Sequence, residues 1–502
     1  MLLLGLSVSL TFGCTGSGGA MGSGGSRDGG QGSDASDGGI ETSDSGSSDT
    51  ATPPLCSSPT DRGAATASTH CGMSPLAVDA ATICAGATTC PITKAYALHC
   101  QSFGYGPWLV PTGPDGASVL YGTSGTGTQM FTIGPGTSAR VDDLPTLSTV
   151  IHSLSVDHSG TRTIFTGELP AVGRFRETAT CWSSELASTV VGNDLALVSA
   201  GRAVDETHAF IAYHDLGDNL PRLATRDGTC WRSTLLARTP MVSMTMDTDA
   251  MDRPWVAWIR GLTGETGLFL AGPDGAIYAP WKTNMNQVLS FWDRPLVLAG
   301  GLDGTSAFPA LATQRSDGLH VITPDLGTAV WTDRIVPGSN PVVYSGNCPP
   351  QGGASTGPPC QGLTTCAEHG VGALSGYGLV RTDSGRAYAA WLEVESDTNY
   401  NLTTITQFCT PGGPMLCTCS ASPTSTTRTL TMVVARVSNA ATPSQAVRRF
   451  HLDAAATPTY SLPSDLALVL AARGNTLLAV ATLTVMPESQ MRYFEIDSSQ
   501  LP

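Results

Sequence analysis

The chain has 502 residues and is acidic, with 26 Lys and Arg against 41 Asp and Glu and a formal net charge of −15. Its lysines are Lys94 and Lys282 alone. A chain of this kind lacks the basic surface that neutralises phosphates, so nucleic-acid binding is disfavoured. No apolar run reaches the roughly 18 residues that a membrane-spanning helix needs, so the sequence predicts no such helix.

The first residues resemble an export signal. Leu2 to Gly13 form a short apolar stretch of the size of a signal-peptide core, and Cys14 follows it directly. A small residue before a cysteine resembles the lipobox of bacterial lipoproteins, in which the cysteine is acylated and becomes the mature N-terminus. Residues 1–14 are therefore predicted to be a signal peptide with a lipobox-like end, and Cys14 the lipid attachment residue. A plain secretory signal with a chance cysteine is the alternative.

Residues 15–54 are predicted to be a disordered tether. The segment contains 12 Gly, 9 Ser and 5 Asp and no aromatic residue, so it cannot bury enough apolar surface to offset the entropy of ordering. Its reach as a flexible coil is on the order of 35 Å. An acidic tether behind an acylated cysteine resembles those of bacterial surface lipoproteins. The resemblance implies a cell-envelope location, at the outer membrane or cell surface, with membrane contact only through the lipid; secretion is the alternative.

The cysteines favour an oxidising, extracellular compartment. Besides Cys14, most of the 14 cysteines lie in Gly/Pro-rich segments, a pattern typical of disulfide-stapled loops. Residues 55–90 are predicted to be a Cys-rich N-terminal segment. Further along the chain, the disulfide candidates are Cys348, Cys360, Cys366, Cys409, Cys417 and Cys419. The odd number left after Cys14 predicts at least one free thiol, and the pairing does not follow from the sequence.

A tryptophan recurs at spacings of 49, 50 and 50 residues through the middle of the chain. The recurring positions are Trp182, Trp231, Trp281 and Trp331. Each unit contains turn signals and short apolar stretches that predict four antiparallel strands, with the tryptophan on the fourth. Four-stranded units at this period are typical of a β-propeller. The predicted first hairpin turns of the units are Asp115, Asp157, Asp205, Asp252, Asp303, Asp383 and Asn475.

These turns predict an all-β propeller over residues 91–502, most simply with seven four-stranded blades; six or eight are alternatives. The final unit contains only three predicted strands, Asp465–Ala471, Thr476–Thr482 and Met491–Ile496. Ile92–Leu98 is one strand-like stretch more than the first unit requires. We expect it to be the outer strand of the final unit, which closes the ring, because a bare strand edge is unfavourable.

The repeats resemble the Asp-box (sialidase-like) and kelch-like propellers of bacterial surface lipoproteins, with no specific family assigned. The Asp-box form, Ser/Thr-x-Asp-x-Gly-x-x-Trp, is not met. Its nearest approach surrounds Asp383, where Arg381 occupies the Ser/Thr position. The resemblance implies the propeller architecture and an extracellular role, without a sialidase activity.

Two Cys-rich segments, residues 337–374 and 397–427, interrupt the period and are predicted as loop insertions. Both leave their blades at the end opposite the first hairpins, so we expect them to lie side by side. Long loops on a rigid scaffold commonly carry function. This face is therefore the predicted binding surface.

Five residues near that face are candidate binding residues. Two lie at a strand end, and three carboxylates alternate along one strand so that they share a face. The candidates are His214, Asp215, Glu393, Glu395 and Asp397.

No catalytic residue, metal-binding spacing or cofactor is predicted, with calcium at Asp247, Asp249 and Asp252 as a weaker alternative. These observations favour a surface-anchored, non-enzymatic binding or scaffold module whose partner is an extracellular ligand such as a glycan or a protein. A secreted carbohydrate-active hydrolase or lyase, with its site on the same face, is the alternative. A purely structural role in the cell envelope is a third hypothesis.

Overall fold

The computed structural model describes residues 55–501 apart from a set of gaps. The gaps are residues 57, 77, 79–81, 85, 101–104, 124–126, 137, 146–150, 169–170, 190–195, 216–219, 261–265, 284–294, 316, 325–329, 340–342, 349–363, 406–417, 439–446, 456–467 and 486–487. The predicted signal peptide, Cys14 and the tether lie outside the described residues. Within them, no helix is both long and apolar enough to cross a membrane.

Five strands precede the first complete repeat. They are β1 (Leu55–Cys56), β2 (Thr60–Gly63), β3 (Thr66–Ala67), β4 (Cys71–Pro75) and β5 (Ile92–Cys100).

The first three repeats contribute four consecutive strands each. Sheet 1 contains β6 (Tyr105–Pro111), β7 (Ala117–Thr123), β8 (Gly127–Ile133) and β9 (Ala139–Asp143). Sheet 2 contains β10 (Ile151–Val156), β11 (Arg162–Glu168), β12 (Ala171–Glu177) and β13 (Trp182–Thr189). Sheet 3 contains β14 (Ala196–Ala203), β15 (His208–Asp215), β16 (Pro221–Asp227) and β17 (Cys230–Leu235).

The remaining strands form four further sheets. Sheet 4 contains β18 (Ser243–Thr248), β19 (Pro254–Arg260), β20 (Thr266–Ala271) and β21 (Ile277–Thr283). Sheet 5 contains β22 (Leu296–Leu298), β23 (Ala310–Arg315), β24 (Gly318–Pro324) and β25 (Trp331–Ile335). Sheet 6 contains β26 (Val343–Gly346), β27 (Thr365–Arg381), β28 (Ala387–Ile405), β29 (Thr418–Val437) and β30 (Val447–Ala455). Sheet 7 contains β31 (Leu468–Arg473), β32 (Thr476–Val485) and β33 (Glu488–Asp497), followed by β5 and β4.

The seven sheets stand side by side in a closed ring. The strands β6, β10, β14, β18, β22, β27 and β31 each pack beside the next, and β31 packs beside β6. All pairings within the sheets are antiparallel, so the predicted all-β propeller is confirmed. The predicted four strands per blade is wrong for five of the sheets, which contain five strands, and correct for sheets 4 and 5.

One apolar cluster fills each gap between neighbouring sheets. Strand β19 shows how the sequence produces this packing: Trp255, Ala257 and Ile259 face sheet 5, while Val256 and Trp258 face sheet 3. Successive side chains of a strand point to opposite faces, and both faces are covered here. Strand β19 is therefore apolar at almost every position, which removes the alternation expected of a half-exposed sheet.

The predicted ring closure is confirmed. Strand β5 pairs antiparallel with β33, and this register places Leu98 opposite Met491. Both side chains are fully buried in the cluster between sheets 7 and 1. The pairing supplies hydrogen-bond partners to an edge that is otherwise bare.

The Cys-rich N-terminal segment forms a strap, residues 55–75, along the outside of four neighbouring sheets. Strand β1 pairs with β17 of sheet 3, β2 with β13 of sheet 2, β3 with β9 of sheet 1, and β4 with β5 of sheet 7. They are the unpredicted fifth strands of sheets 1, 2, 3 and 7, whereas the five strands of sheet 6 are consecutive in the chain. The strap strands are only 2 to 5 residues long and carry little apolar periodicity, so composition alone could not identify them.

The first hairpin turns contain aspartates that accept backbone N–H groups, as the sequence indicates. The Asp157 carboxylate accepts from Ser159 and Thr161, at 2.9 Å each. In sheet 4 the predicted turn lies where expected, between β18 and β19, but the carboxylate that accepts its N–H groups is that of Asp249. Asp252 lies in the same turn and has a φ of 58°. Aspartate tolerates this left-handed conformation better than most residues, which explains its presence there.

Two of the recurring tryptophans are buried against the preceding sheet. Trp182 packs in the cluster between sheets 1 and 2, and Trp231 in the cluster between sheets 2 and 3. Trp331 is half-buried beside the cluster between sheets 4 and 5, and the Trp281 side chain lies outside the described residues. Both buried residues anchor the fourth strand of their own sheet against the preceding sheet.

Sheet 6 differs from the other sheets in the length of its strands. Strands β27, β28 and β29 contain 17, 19 and 20 residues. The segments predicted as loop insertions therefore continue the sheet as paired strands over residues 365–374, 397–405 and 418–427, which corrects that prediction. Neighbouring strands satisfy each other's backbone groups, and the many threonines favour extended backbone. At about 3.3 Å per residue, the ten residues of β27 before the bulge at Leu374 extend the sheet by roughly 30 Å.

Disulfides join three cysteine pairs among the described residues: Cys56–Cys230, Cys84–Cys90 and Cys348–Cys366. The predicted stapling is confirmed for Cys348 and Cys366. Cys360, Cys409 and Cys417 lie outside the described residues, and Cys419 lies in β29 with its side chain outside them. Cys181 is a free thiol, in agreement with the odd cysteine count.

Candidate functional site

The far ends of β26 to β29 form the sheet-6 tip, which we define as residues 343–348, 365–371, 395–405 and 418–429. A groove of about 430 Å³ lies on the tip. Its walls come from β26, β27 and β28, with Asn347 at the end of β26. The Asn347 side chain accepts a hydrogen bond from the Ala367 backbone N–H at 2.8 Å, which fixes the rim of the groove to β27.

His369 and Asp397 line this groove, and a third titratable side chain, that of Glu395, lies beside His369. His369 of β27 lies directly opposite Asp397 of β28, and its Nδ1 is 2.8 Å from Asp397 Oδ1. Glu395 precedes Asp397 by two positions and so lies on the same face of β28. Its Oε1 is 3.8 Å from His369 Nε2. The imidazole is therefore flanked by a carboxylate on each side.

The three side chains are accessible to solvent. The exposed fractions are 39% for His369, 45% for Glu395 and 63% for Asp397. An imidazole with two carboxylates can bind a cation, accept and donate hydrogen bonds to a polar ligand, or transfer a proton. Their exposure means that these groups are not needed to fill a core.

Glu393 is inaccessible to solvent and makes structural contacts. It is buried, accepts a hydrogen bond from Trp391 Nε1 at 3.0 Å, and lies 3.4 Å from Arg449 Nε. The three alternating carboxylates thus share a strand face, as expected, but only Asp397 lines the groove, while Glu395 lies beside His369. The strand crosses from the buried ring to the exposed tip between positions 393 and 395.

His214 and Asp215 lie in a different sheet from this cluster. His214 is buried in β15 of sheet 3, opposite Leu197 and Pro221. Asp215 ends the same strand, and its side chain lies outside the described residues. The structure does not bring this pair together with the carboxylates of β28.

The aspartates considered for calcium have separate protein partners. Asp247 Oδ2 accepts the Ala299 N–H at 3.0 Å, which ties sheet 4 to sheet 5. Asp249 pairs with Arg253 at 2.7 Å, and Asp252 lies 3.3 Å from His158 Nε2. In this turn the three carboxylates serve different contacts, so they do not converge on one cation.

A second histidine–carboxylate cluster lies in sheet 5. His320 is buried, with Nδ1 at 2.8 Å from Asp333 Oδ1 and Nε2 at 2.8 Å from Asp317 Oδ1. Arg315 Nη1 donates to Asp333 at 2.6 Å. Burial alone raises the pKa of Asp333, but the His320 hydrogen bond and the attraction of Arg315 outweigh it, so the pKa falls below its usual value. These mutual contacts explain the cluster as a cross-strand link.

Sequence reasoning missed His369, the central residue of the site. Its predicted surroundings were a loop, and a loop offers no register from which to pair it with Asp397. The available signal was the spacing of Glu395 and Asp397 on one strand face. Only the pairing of β27 with β28 shows which residue stands opposite them.

Several solved structures are similar to the chain at low TM-scores. A catalytically inactive virginiamycin B lyase from Staphylococcus aureus with quinupristin matches with a TM-score of 0.42 and 9% identity, over 84% of this chain and 99% of that chain. YCF48 bound to D1 peptide matches with a TM-score of 0.43 and 10% identity, over 83% and 99% of the two chains. A triple mutant of AofleA from Arthrobotrys oligospora matches with a TM-score of 0.36 and 9% identity, over 67% and 89%.

No family model matches the sequence, and no curated protein matches it either. The structural likenesses have low identity and low TM-scores, so no argument about fold, activity or ligand rests on them. The chain is a β-propeller protein, and its function has to be argued from its own residues.

Proposed function

We propose that the protein is a non-enzymatic binding module displayed at a bacterial cell envelope, and that the groove on the sheet-6 tip receives its ligand. The observation that carries the proposal is the extension of sheet 6. Within the described residues, the strands of the other sheets have 10 residues or fewer, whereas β27 to β29 have 17 to 20. Ordering a paired extension of this length costs conformational entropy. The ring is closed without the extension, so closure of the ring does not explain it.

The surface of the groove suits a polar ligand. Ser345, Asn347 and Asn399 are exposed at its walls, together with His369 and Asp397. These side chains provide hydrogen-bond donors and acceptors in a concave surface and offer little apolar area. A glycan has the matching chemistry, because its hydroxyl groups both donate and accept hydrogen bonds.

The rest of the ring has the character of a scaffold. Arg381 Nη1 donates to the carbonyl oxygens of Ala299 and Gly301, at 2.9 and 2.6 Å, and so holds sheet 6 to sheet 5. Arg473 Nη1 donates to the Gly116 carbonyl at 3.1 Å and holds sheet 7 to sheet 1. These arginines are engaged in joining sheets, which supports a structural role for the end of the ring that carries the first hairpins.

The envelope location remains the part of the proposal that depends on the N-terminus. Acylation of Cys14 and a flexible tether over residues 15–54 are proposed from the sequence pattern described above. Expression in a bacterium with and without Cys14→Ser tests them. Membrane association of the wild type and release of the variant are expected; equal release of both forms contradicts the anchor.

A hydrolase or lyase remains the second candidate, because one observation favours it. His369, Glu395 and Asp397 are accessible groups that can act as general acid and base. A carbohydrate substrate bound in the groove lies within reach of such groups.

A glycan and polysaccharide array, scored for both binding and cleavage, separates the two candidates. The proposal predicts retention of at least one glycan class with no new reducing ends or unsaturated products. Turnover of the bound glycan supports the enzyme instead. Absence of binding to every glycan contradicts a glycan-binding function.

A further inference from the structure

We propose that the sheet-6 tip binds one divalent transition-metal ion through His369, Glu395 and Asp397. The inference deepens the proposed function, since it names a constituent of the same groove. It rests on the geometry of the three side chains and on the groove beside them, and the metal is tested alone, without a glycan.

The ligand atoms are close enough to share one ion. One imidazole nitrogen of His369 and one oxygen each from Glu395 and Asp397 lie within 4.8 Å of one another. Ligand bonds of about 2.1 Å in a tetrahedral site place ligand atoms roughly 3.4 Å apart. In the structure the two carboxylates approach different imidazole nitrogens, Asp397 at 2.8 Å from Nδ1 and Glu395 at 3.8 Å from Nε2. An ion takes one nitrogen of the ring, so binding requires side-chain rotations that bring both carboxylates toward that nitrogen, within the set of atoms that lies inside 4.8 Å.

The backbone holds these positions in place. The facing residues His369 and Asp397 belong to a continuous antiparallel ladder between β27 and β28, and β29 covers the other edge of β28. The Cys348–Cys366 disulfide closes the end of β27 three positions before His369. Ligands on paired strands are positioned more accurately than ligands on loops.

The groove beside the three side chains has room for a ligand in addition to the ion. His369 and Asp397 line its wall, and its volume of about 430 Å³ is open beside them. An ion held by three protein ligands leaves coordination positions for water or for a ligand hydroxyl. The proposed metal is thus placed where it can contact a bound ligand.

The ligand chemistry selects the class of ion. A neutral imidazole and two carboxylates balance the charge of a divalent cation. Imidazole suits Zn²⁺ and other transition metals, whereas Ca²⁺ takes six to eight oxygen ligands. We therefore commit to a transition-metal ion, with Zn²⁺ as the probe and Ca²⁺ as the comparison.

The test is isothermal titration of chelator-stripped full-length protein with ZnCl₂. One site with a micromolar or lower Kd is expected in the wild type, and His369→Ala and Asp397→Asn are each expected to weaken it by at least about 10-fold. His158→Ala is the matched control, since His158 is also an exposed histidine beside one carboxylate. Its titration is expected to equal that of the wild type.

Equal zinc stoichiometry and affinity in the wild type and both tip variants overturn the inference, as does Ca²⁺ binding at the tip as tight as Zn²⁺ binding. Circular dichroism on each variant checks that the fold is retained, and Asp397→Asn keeps the side-chain shape should His369→Ala unfold. A glycan that binds equally with and without chelator supports the proposed function, and the zinc titration then decides separately whether the metal site exists. The two failures are therefore distinguishable.

Discussion

Tyr96 in β5 lies directly opposite Tyr493 in β33, with the two ring centroids 6.3 Å apart. Phe131 of sheet 1 packs edge-on against both rings, at 6.2 and 6.1 Å. Burial raises the pKa of both phenols, and the nearby Glu495 adds to that effect. One aromatic cluster thus joins an early strand, a late strand and sheet 1, so closure of the ring depends on apolar packing as well as on strand pairing.

Truncation of Leu98 tests this closure. Leu98 is fully buried between sheets 7 and 1, so we expect Leu98→Ala to lower the free energy of unfolding by about 2–5 kcal/mol, from lost transfer energy and the cavity left behind. Urea unfolding measures the change. Val78→Ala, at an exposed position of the same N-terminal segment, is the control, with an expected change within about 0.5 kcal/mol. Similar losses in both variants contradict the closure.

The interface between sheets 2 and 3 contains a buried charge network. Glu185 accepts hydrogen bonds from Arg174 Nη1 and from Arg226 Nη2, both at 3.1 Å, and all three side chains are nearly inaccessible. Glu185→Ala leaves two buried guanidinium groups without their carboxylate, so we expect a loss of about 3–5 kcal/mol in unfolding free energy. Glu206→Ala, whose side chain is 76% exposed, is expected to cost far less. A negligible effect at Glu185 shows that the network does not hold the interface.

Acid is expected to weaken the Asp333 cluster. Because the folded pKa of Asp333 is lowered, its contribution is complete above the unfolded value of about 3.9 and is lost as the pH falls through the folded pKa. At pH 7, Asp333→Asn is expected to cost about 1–3 kcal/mol. Urea unfolding from pH 7 to 2.5 should show the gap to the wild type closing below pH about 4. Asp227→Asn, with a side chain 79% exposed, should show little gap throughout; a gap at Asp333 that is constant with pH contradicts the assignment.

The oxidation state of the cysteines is directly testable. Alkylation of the folded protein without reductant, followed by mass spectrometry, should label Cys181 and leave Cys348 and Cys366 unlabelled. In the Cys56→Ser/Cys230→Ser double variant the first strap strand loses its covalent bond to sheet 3 and keeps only the two-residue pairing of β1 with β17. Trypsin is then expected to cut after Arg62 several-fold faster than in the wild type. Labelling of Cys348 and Cys366 in the untreated protein, or unchanged cleavage after Arg62, contradicts the disulfides as drawn.

The sequence predicts the ring because the ring is periodic. Trp182 and Trp231 recur at a fixed spacing since each anchors a strand against the preceding sheet, and the Asp157 turn recurs because its carboxylate replaces backbone partners. The strap is not predicted, because its strands are not periodic in sequence. Its strands form by backbone pairing to existing edges, and such pairing imposes almost no pattern on side chains.

The candidate site is predictable only in part. Glu395 and Asp397 stand out because they alternate along one strand, and period-two alternation is visible in sequence. His369 is fixed by the register of β27 against β28, a long-range relationship that no local pattern contains. The sequence predicts Glu393 as a binding residue together with Glu395 and Asp397, because it does not show where the strand leaves the ring. The hydrogen bond from Trp391 to Glu393 marks that point.

Titration of tip variants with a ligand measures whether the sheet-6 tip is the binding site. The glycan retained most strongly on the array is titrated into the wild type, Asp397→Ala and the His158→Ala control. We predict a Kd weakened by at least about 10-fold in Asp397→Ala, corresponding to about 1.4 kcal/mol, and an unchanged Kd in His158→Ala. Equal affinity of Asp397→Ala and the wild type places the ligand elsewhere and contradicts the account.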